Sequence, residues 1–255
     1  MVNRKWKARP HRRSLSLQVE FVDFGATLVG ARTGKPDMGQ RTLRLAVLIS
    51  GGGRTLLNLH EQIRSGKLDA RIEVVVSSRG DVRGVERARE LGLPTVIVNR
   101  RPTGRSAPPS EAAQGGFDEG ITEAVAGVDL VCMAGFLSLW RFPDEMSGRV
   151  INMHPALLPE FGGPGMYGRR VHEAVLAAGK TESGCTVHFC DNKYDHGPII
   201  LQRKVPVLAD DTSDTLAARV FEQECILYPE ILQLFSTDRV RLVEGKVSIT
   251  SEPVP

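Results

Sequence analysis

The 255-residue sequence lacks any apolar run near the roughly 18 consecutive residues that a membrane-spanning helix needs. Its basic N-terminus is not followed by the apolar stretch of a secretory signal. Aromatic residues make up only 5% of the chain, yet 41% of it is hydrophobic, which is enough to bury an ordinary globular core. We therefore expect a globular cytoplasmic protein that has no membrane partner.

Cysteine is also scarce, since the chain has only four and none of them forms a CxxC pair. Each lies among apolar residues in a predicted strand or helix, so we expect reduced, buried thiols in a reducing compartment. A zinc site would require tighter clustering with histidine. The sequence therefore predicts no metal site. The four residues are Cys132, Cys185, Cys190 and Cys225.

Charge is unevenly distributed along the chain. Residues 1–43 hold nine Lys/Arg and three Asp/Glu, whereas the rest of the chain holds 24 basic and 27 acidic residues. The mildly acidic body argues against a nucleic-acid-binding surface. We interpret residues 1–43 as a basic N-terminal extension. It is a disordered segment, an RNA-binding arm, or sequence upstream of a true start at Met38, and disorder is the simplest of these.

A regular alternation of apolar strands and amphipathic helices begins at Leu43. Such short apolar strands separated by helices predict a parallel sheet. The predicted strands are residues 45–49, 72–76, 94–98, 129–133 and 150–153. The predicted helices are residues 55–63, 82–91, 117–126 and 170–178, and residues 101–116 are predicted to be a flexible loop.

The pattern changes in the C-terminal third of the chain. Residues 186–190 and 199–207 predict two strands that pair antiparallel, and residues 211–235 predict a closing helix capped at Thr212 or Ser213. The expected fold is α/β: a single open, mostly parallel, Rossmann-like sheet with helices on both faces and an antiparallel C-terminal strand pair. We expect one domain over residues 44–245 and a C-terminal tail from 246 to 255.

A glycine-rich turn, Ser50-Gly51-Gly52-Gly53-Arg54, joins the first strand to the first helix. Glycines let a ligand approach the backbone, and the start of a helix offers free N–H groups to a phosphate. Arg54 adds a cation there. The spacing matches neither GxGxxG nor a Walker loop, so it does not indicate a dinucleotide or a nucleoside triphosphate. A tight turn would explain the glycines equally well.

Asn152 and His154 are two positions apart in a predicted strand, so both side chains lie on one face of it, roughly 7 Å apart. Met153 points to the opposite face. The strand ends at Pro155, and ligands of open parallel sheets bind beyond this edge. An amide and an imidazole directed at one point suit the stabilisation of an oxyanion. The alternative is a histidine that only hydrogen-bonds a neighbouring loop.

Asp195 and Glu224 each allow two interpretations. Asp195, in an Asp-His-Gly-Pro segment, either holds an imidazolium or forms an Asx-type turn. Glu224 lies on the apolar stripe of the last helix, which is costly unless the carboxylate contacts a ligand or forms a buried salt bridge. We expect His188 to be structural and His196 to be solvated. His172 lines the site or faces solvent.

Five segments together resemble the folate-dependent phosphoribosylglycinamide formyltransferase family. Asn-x-His-Pro followed by Leu-Leu-Pro, with a later Asp-x-Gly-Pro-Ile, is highly specific for folate formyl-transfer domains. The resemblance covers about 200 residues. The segments are AVLISGGGR (46–54), MAGFLSLW (133–140), INMHPALLPEF (151–161), TVHFCDNKYDHGPIILQ (186–202) and RVFEQECILYPEIL (219–232).

This resemblance implies formyl transfer from 10-formyltetrahydrofolate to the amine of glycinamide ribonucleotide in de novo purine biosynthesis, without a metal. Asn152, His154 and Asp195 match the catalytic trio. The substrate phosphate would contact Gly51, Gly52 and Gly53 with Arg54, and Glu224 would contact the ribose and amine part. The implied folate-binding residues are Leu137, Ser138, Leu139, Trp140, Asn152, Cys190, Asp191 and Asp195.

The sequence departs from the family pattern mainly around substrate binding. Gly53-Arg54-Thr55 replaces the usual Gly-Ser-Asn, Ala156 stands where serine is frequent, and residues 162–170 form a longer segment. The loop at 101–116 has no obvious counterpart of the family's phosphate-binding arginine. The phosphate contact must therefore be rebuilt, and Arg54 is the candidate for it.

Three alternative functions remain open. The acceptor could be another amine, such as a nucleotide-linked amino sugar or methionyl-tRNA; the protein could be a formyltetrahydrofolate hydrolase; or it could bind folate without turnover. We expect the short terminal segments to leave no room for the added domains of the tRNA enzymes and the hydrolases. The expected partners are small molecules rather than nucleic acid, and the protein is expected to be a monomer or a homodimer.

Overall fold

The computed structural model describes residues 42–100 and 110–251. The predictions of a basic N-terminal extension up to residue 41 and of a flexible loop over residues 101–109 lie outside the described residues, as do the last four residues of the chain. Among the described residues, no helix is both long enough and apolar enough to cross a membrane.

Seven strands form one open sheet in the order β3-β2-β1-β4-β5-β6-β7. The first five strands in this order are parallel, while β6 pairs antiparallel with β5 and β7 pairs antiparallel with β6. The predicted sheet and its antiparallel C-terminal pair are confirmed. The strands are β1 (Leu43–Ile49), β2 (Ala70–Ser77), β3 (Thr95–Ile97), β4 (Leu130–Met133), β5 (Val150–His154), β6 (Glu182–Phe189) and β7 (Ile199–Pro206).

Helices cover both faces of the sheet because its strands are apolar on both sides. On β1, Leu45 and Val47 belong to one core cluster and Ala46 and Leu48 to the other, which is the alternation that a strand imposes. The first cluster includes residues of α1 and α5, and the second includes Phe117 of α3. The helices are α1 (Arg54–Arg64), α2 (Arg83–Glu90), α3 (Glu111–Ala124), α4 (Arg169–Ala177) and α5 (Ser213–Ser236).

The closing helix α5 begins where the sequence predicts. The Thr212 side chain accepts a hydrogen bond from the Thr215 backbone N–H, and the Thr215 hydroxyl accepts one from the Thr212 N–H. Further along the helix, the Tyr228 hydroxyl donates to the Met133 carbonyl at 3.0 Å. This hydrogen bond ties α5 to the carboxyl end of β4, beside the edge where ligands of such sheets bind.

Two elements differ from the sequence-based expectation. Helix α3 starts at Glu111, capped by Ser110, rather than at Phe117, because Gln114 already packs into the structure and Gly115 and Gly116 are tolerated inside the helix. The predicted tail is corrected as well: Lys246–Ile249 forms strand β9, which pairs antiparallel with β8 (Val240–Val243).

Candidate active site

A cavity of about 780 Å³ opens at the carboxyl ends of β1, β4 and β5. It lies where the strand order reverses between β1 and β4, the usual ligand position in open α/β sheets. Its volume falls within the roughly 300–1,000 Å³ typical of small-molecule sites. The walls are formed by residues 51–55, 134–137, 152–155 and 163–169, by His172, Tyr194 and Asp195, and by one face of α5.

Asn152, His154 and Asp195 meet at one end of this cavity. The Asn152 amide donates to Asp195 Oδ1 at 3.3 Å, and His154 Nδ1 lies 3.4 Å from the same oxygen. His154 Nε2 lies 2.9 Å from the carbonyl oxygen of Phe161. The buried imidazole therefore stands between two acceptors, and a ring that carries both protons satisfies them together.

The Asp195 carboxylate is held ionised by its surroundings. Burial raises its pKa, but the contacts with His154 and the hydrogen bond from the Gly163 N–H act in the opposite direction, and the pKa lies below the usual range. The carboxylate points at these groups rather than at its own loop. The structure thus favours a carboxylate that contacts an imidazole over one that only forms a local Asx-type turn.

The backbone around Asp195 explains the Asp-His-Gly-Pro segment. Asp195 itself has a φ of 51°, in the left-handed region. A Cβ on Gly197 would lie 2.0 Å from the Phe189 carbonyl oxygen, so no other residue fits there without moving the chain. The close approach of the chain at Gly197 to the Phe189 carbonyl turns the Asp195 side chain towards β5.

His188 belongs to this cluster, although we expected it to be only structural. The β5–β6 register places it opposite Asn152, and its Nε2 lies 3.1 Å from the Asn152 amide nitrogen. Its Nδ1 lies 2.9 Å from the Phe189 carbonyl oxygen and donates to it, so Nε2 accepts from Asn152. The signal in the sequence was the pairing of the two strands, but the residue opposite Asn152 depends on a register that the sequence does not specify.

The glycine-rich turn lies at the other end of the cavity. Gly53 caps α1 with a φ of 70°, and a Cβ there would lie 2.9 Å from Gly84 Cα at the start of α2. Both residues must be glycine for the two helix starts to approach this closely. The first turn of α1 carries no acidic side chain, and its free N–H groups face a site that suits an anion.

Two ionisable side chains complete this end of the cavity. The Arg54 guanidinium packs over the Phe221 ring, 3.9 Å from its centroid. Burial raises the pKa of Glu224 to about 7, although the charges on Arg54 and His154 oppose that rise. Among the residues that the structure describes, none donates a hydrogen bond to the Glu224 carboxylate, so the salt-bridge reading has no partner here.

The predicted folate-binding residues are divided. Leu137, Asn152 and Asp195 line the cavity, whereas Ser138, Leu139, Trp140, Cys190 and Asp191 lie outside its walls. The Trp140 side chain is buried in the core, and its indole N–H donates to the Asp118 carbonyl. Asp191 contacts His196, which is exposed.

The thiols have no part in the cavity. Cys132 and Cys185 are buried, and burial raises the pKa of each to about 12. Cys190 and Cys225 are half-buried, and all four are free. Within residues 42–100 and 110–251, no group of three or more His, Cys, Asp or Glu side chains is placed to hold a metal ion.

A polar cluster and a helix start line one cavity at the carboxyl edge of an open α/β sheet, which is the position and size of a small-molecule site. The model of the formyl transferase family matches residues 43–232. The chain therefore belongs to the formyl transferase family.

Named relatives and solved structures agree with this assignment. A chloroplastic phosphoribosylglycinamide formyltransferase of Vigna unguiculata is 39% identical over 204 residues, which cover 78% of this chain and 63% of the plant protein. The Haemophilus influenzae phosphoribosylglycinamide formyltransferase is 31% identical over 83% of this chain and 96% of its own length. The crystal structure of glycinamide ribonucleotide transformylase 1 from Symbiobacterium toebii has a TM-score of 0.71 and 36% identity, covering 84% of this chain and 100% of that chain.

Proposed function

We propose that this protein transfers the formyl group of 10-formyltetrahydrofolate to the amine of glycinamide ribonucleotide, a step of de novo purine biosynthesis, in the cytoplasm. The observation that carries the proposal is the meeting of Asn152, His154 and Asp195 at one end of a cavity whose other end holds the start of α1. The names of the relatives support this choice of acceptor.

The folate donor supplies a formyl carbon whose oxygen gains negative charge when the amine adds. His154 and the Asn152 amide donate hydrogen bonds to that oxygen. Their contacts with Asp195, at 3.4 and 3.3 Å, are long, so a stronger acceptor can draw both donors towards itself. One such donor contributes roughly 3–4 kcal/mol of transition-state stabilisation in other acyl-transfer sites.

Asp195 orients His154 through its contact with Nδ1, and solvent water beside the carboxylate would help to carry a proton. In the overall reaction, the acceptor nitrogen forms a bond to the formyl carbon, and the bond from that carbon to folate N10 breaks. One proton passes from the acceptor nitrogen to N10. No electrons are gained or lost, so the reaction needs no redox cofactor.

The acceptor lies along the opposite end of the cavity. The N–H groups of Gly51, Gly52 and Gly53 and the Arg54 guanidinium bind its phosphate, because the helix start and the cation are both free to meet an anion. Glu224 contacts the ribose and amine part. The folate donor meets Leu137 and the neighbouring backbone, and the protein works as a monomer or a homodimer without nucleic acid.

A spectrophotometric assay of the folate product tests this function. Purified protein is given 10-formyltetrahydrofolate with glycinamide ribonucleotide, with a nucleotide-linked amino sugar, or with water alone. We expect turnover with glycinamide ribonucleotide only. Product in water alone would indicate a hydrolase, product with only the amino sugar would indicate a different transferase, and folate binding without turnover would indicate a silent module; each result overturns the proposal.

A further inference from the structure

One buried polar side chain on the cavity wall has no part in the reaction as described so far. His172 lies in the first turn of α4, is 4% exposed and lines the cavity. Among the described residues, its Nδ1 is buried without a hydrogen-bond partner. A buried unpaired polar atom costs stability and is rare in folded proteins, so its retention at a ligand cavity indicates a use.

The charges around His172 favour its neutral form. Burial lowers its pKa, and the positive charges on His154, from β5, and on Arg54, from α1, lower the pKa further. No acceptor stabilises an added charge at Nδ1. The ring is therefore able to accept a proton but unable to retain it. The other charged groups of the cavity wall from α4 and the packed helix α5 are Arg169, Asp214 and Glu224.

The acceptor nitrogen has to lose a proton as it bonds to the formyl carbon, and a base on the cavity wall can take that proton. Asp195 is a weak base because its pKa is held below the usual range, and His154 already serves as a hydrogen-bond donor. Glu224, whose pKa burial raises to about 7, interacts with the charges on both Arg54 and His154 and is already assigned to the ribose and amine contact. His172 is the neutral nitrogen base that remains on the described cavity wall.

We propose that His172 is a catalytic base for formyl transfer, an inference that rests on the function proposed above. Because Nδ1 is enclosed, Nε2 is the ring atom that faces the ligand. Nε2 takes the proton from the acceptor nitrogen as that nitrogen bonds to the formyl carbon. The imidazolium then returns the proton, through solvent water, to the folate nitrogen as its bond to carbon breaks, and His172 is neutral again.

The first test is the substitution His172→Gln, which keeps a polar group near the Nε2 position but removes the basic lone pair. We expect kcat for glycinamide ribonucleotide to fall by about 100-fold or more, as for loss of a general base, with both KM values within about 3-fold. The thermal midpoint should stay unchanged or rise, since an unpaired buried atom is lost. His60→Gln, on α1 outside the cavity walls, is the matched control and should keep wild-type kinetics.

A second test separates a base from a structural side chain. His172→Ala opens a space at the cavity wall, and added imidazole should restore turnover, with 4-methylimidazole and pyrazole ranking by their basicity. A purely structural histidine would give no rescue that follows basicity. Wild-type kcat in His172→Gln, a rise in KM alone, or absence of rescue in a folded His172→Ala protein would overturn the assignment.

The same variants distinguish failure of this inference from failure of the proposed function. If the wild-type protein does not use glycinamide ribonucleotide but hydrolyses the donor, the proposed acceptor is wrong. Water is then the nucleophile, and it also has to lose a proton to a base. His172→Gln should then slow hydrolysis to a similar degree, and unchanged hydrolysis would overturn the role of His172. A wild-type protein that does not act on the donor at all overturns both.

Discussion

The two ends of the cavity are built differently. At the end that we propose to be catalytic, called the catalytic end below, Asn152, His154, His188 and Asp195 are hydrogen-bonded to one another or to nearby backbone. At the acceptor end, the polar atoms of Arg54, His172 and Glu224 have no hydrogen bond or ion pair with another residue that the structure describes. The chain itself completes the catalytic end, whereas the acceptor end requires a ligand to become complete.

The two carboxylates on the cavity wall show what this difference does. Both are desolvated, yet hydrogen bonds bring the pKa of Asp195 below its usual range, while the pKa of Glu224, which lacks such bonds, rises to about 7. Preorganised polar groups at the reacting atoms do not have to rearrange during the reaction. Unpaired groups at the acceptor end instead gain hydrogen-bond partners only from the correct substrate, which favours selectivity.

The largest expected effect tests the catalytic end. Asp195→Asn removes the charged group that orients the His154 ring, and His154→Ala removes the donor itself. We expect either substitution to lower kcat by roughly 100- to 10,000-fold while circular dichroism and thermal midpoint show an intact fold. Asp210→Asn, at an exposed turn, is the matched control. Near wild-type formyl transfer by a folded His154→Ala protein would contradict the catalytic role of this end.

The next effect concerns His188, which accepts from Asn152 and so fixes the amide. His188→Leu should lower kcat by about 10-fold, the value of roughly one hydrogen bond. The double variant with Asn152→Ala should be hardly slower than Asn152→Ala alone, because His188 acts through that amide. Fully additive losses in kcat would show that the two residues work separately, and that the hydrogen-bonded cluster is not one unit.

At the acceptor end, loss of Arg54 should affect KM rather than kcat. Arg54→Ala is expected to raise the KM for glycinamide ribonucleotide by about 10- to 100-fold, the effect of losing a charge-assisted hydrogen bond, with little change in kcat. Added salt should raise this KM more for the wild type than for the variant. Arg64→Ala, at an exposed pair with Glu61 on the same helix, is the control. An unchanged KM with a lower thermal midpoint would mean that Arg54 only packs on Phe221.

Much of this arrangement follows from local rules. The period-two pattern of β5 puts Asn152 and His154 on one face, and the strand alternation with helices predicts the sheet that presents them. The Thr212 cap was readable from the sequence for the same reason, because the capping bonds join residues three apart. Features that depend on neighbours close in sequence were thus predictable.

Features that depend on distant parts of the chain were not. The role of His188 follows from the β5–β6 register, and that of Asp195 from a left-handed turn and the close crossing at Gly197. The isolation of Glu224 and of His172 Nδ1 exists only once the helices and strands that carry their neighbours have packed together. Strand β9 was missed because four residues with weak alternation do not indicate a strand until β8 lies beside them.

The smallest expected effect measures the unpaired state of Glu224 directly. Its pKa rises from 4.5 to about 7 in the folded protein, so between these values the folded state keeps a proton that the unfolded state has lost. Stability from this group is therefore present at low pH and is lost as pH rises through about 7. Urea unfolding at several pH values from below 4.5 to above 7 measures the free energy of unfolding. The Glu224→Gln protein should lack the fall in this free energy that Glu224 causes in the wild type.

His172 adds a slope of the opposite sign, since its pKa is lowered and the unfolded state binds the extra proton at acidic pH. The difference between wild type and Glu224→Gln cancels that contribution, because His172 is present in both. Identical slopes in the two proteins would mean that Glu224 is ionised and paired without any ligand. The acceptor end would then be as complete as the catalytic end, and selectivity for the acceptor would have to arise elsewhere.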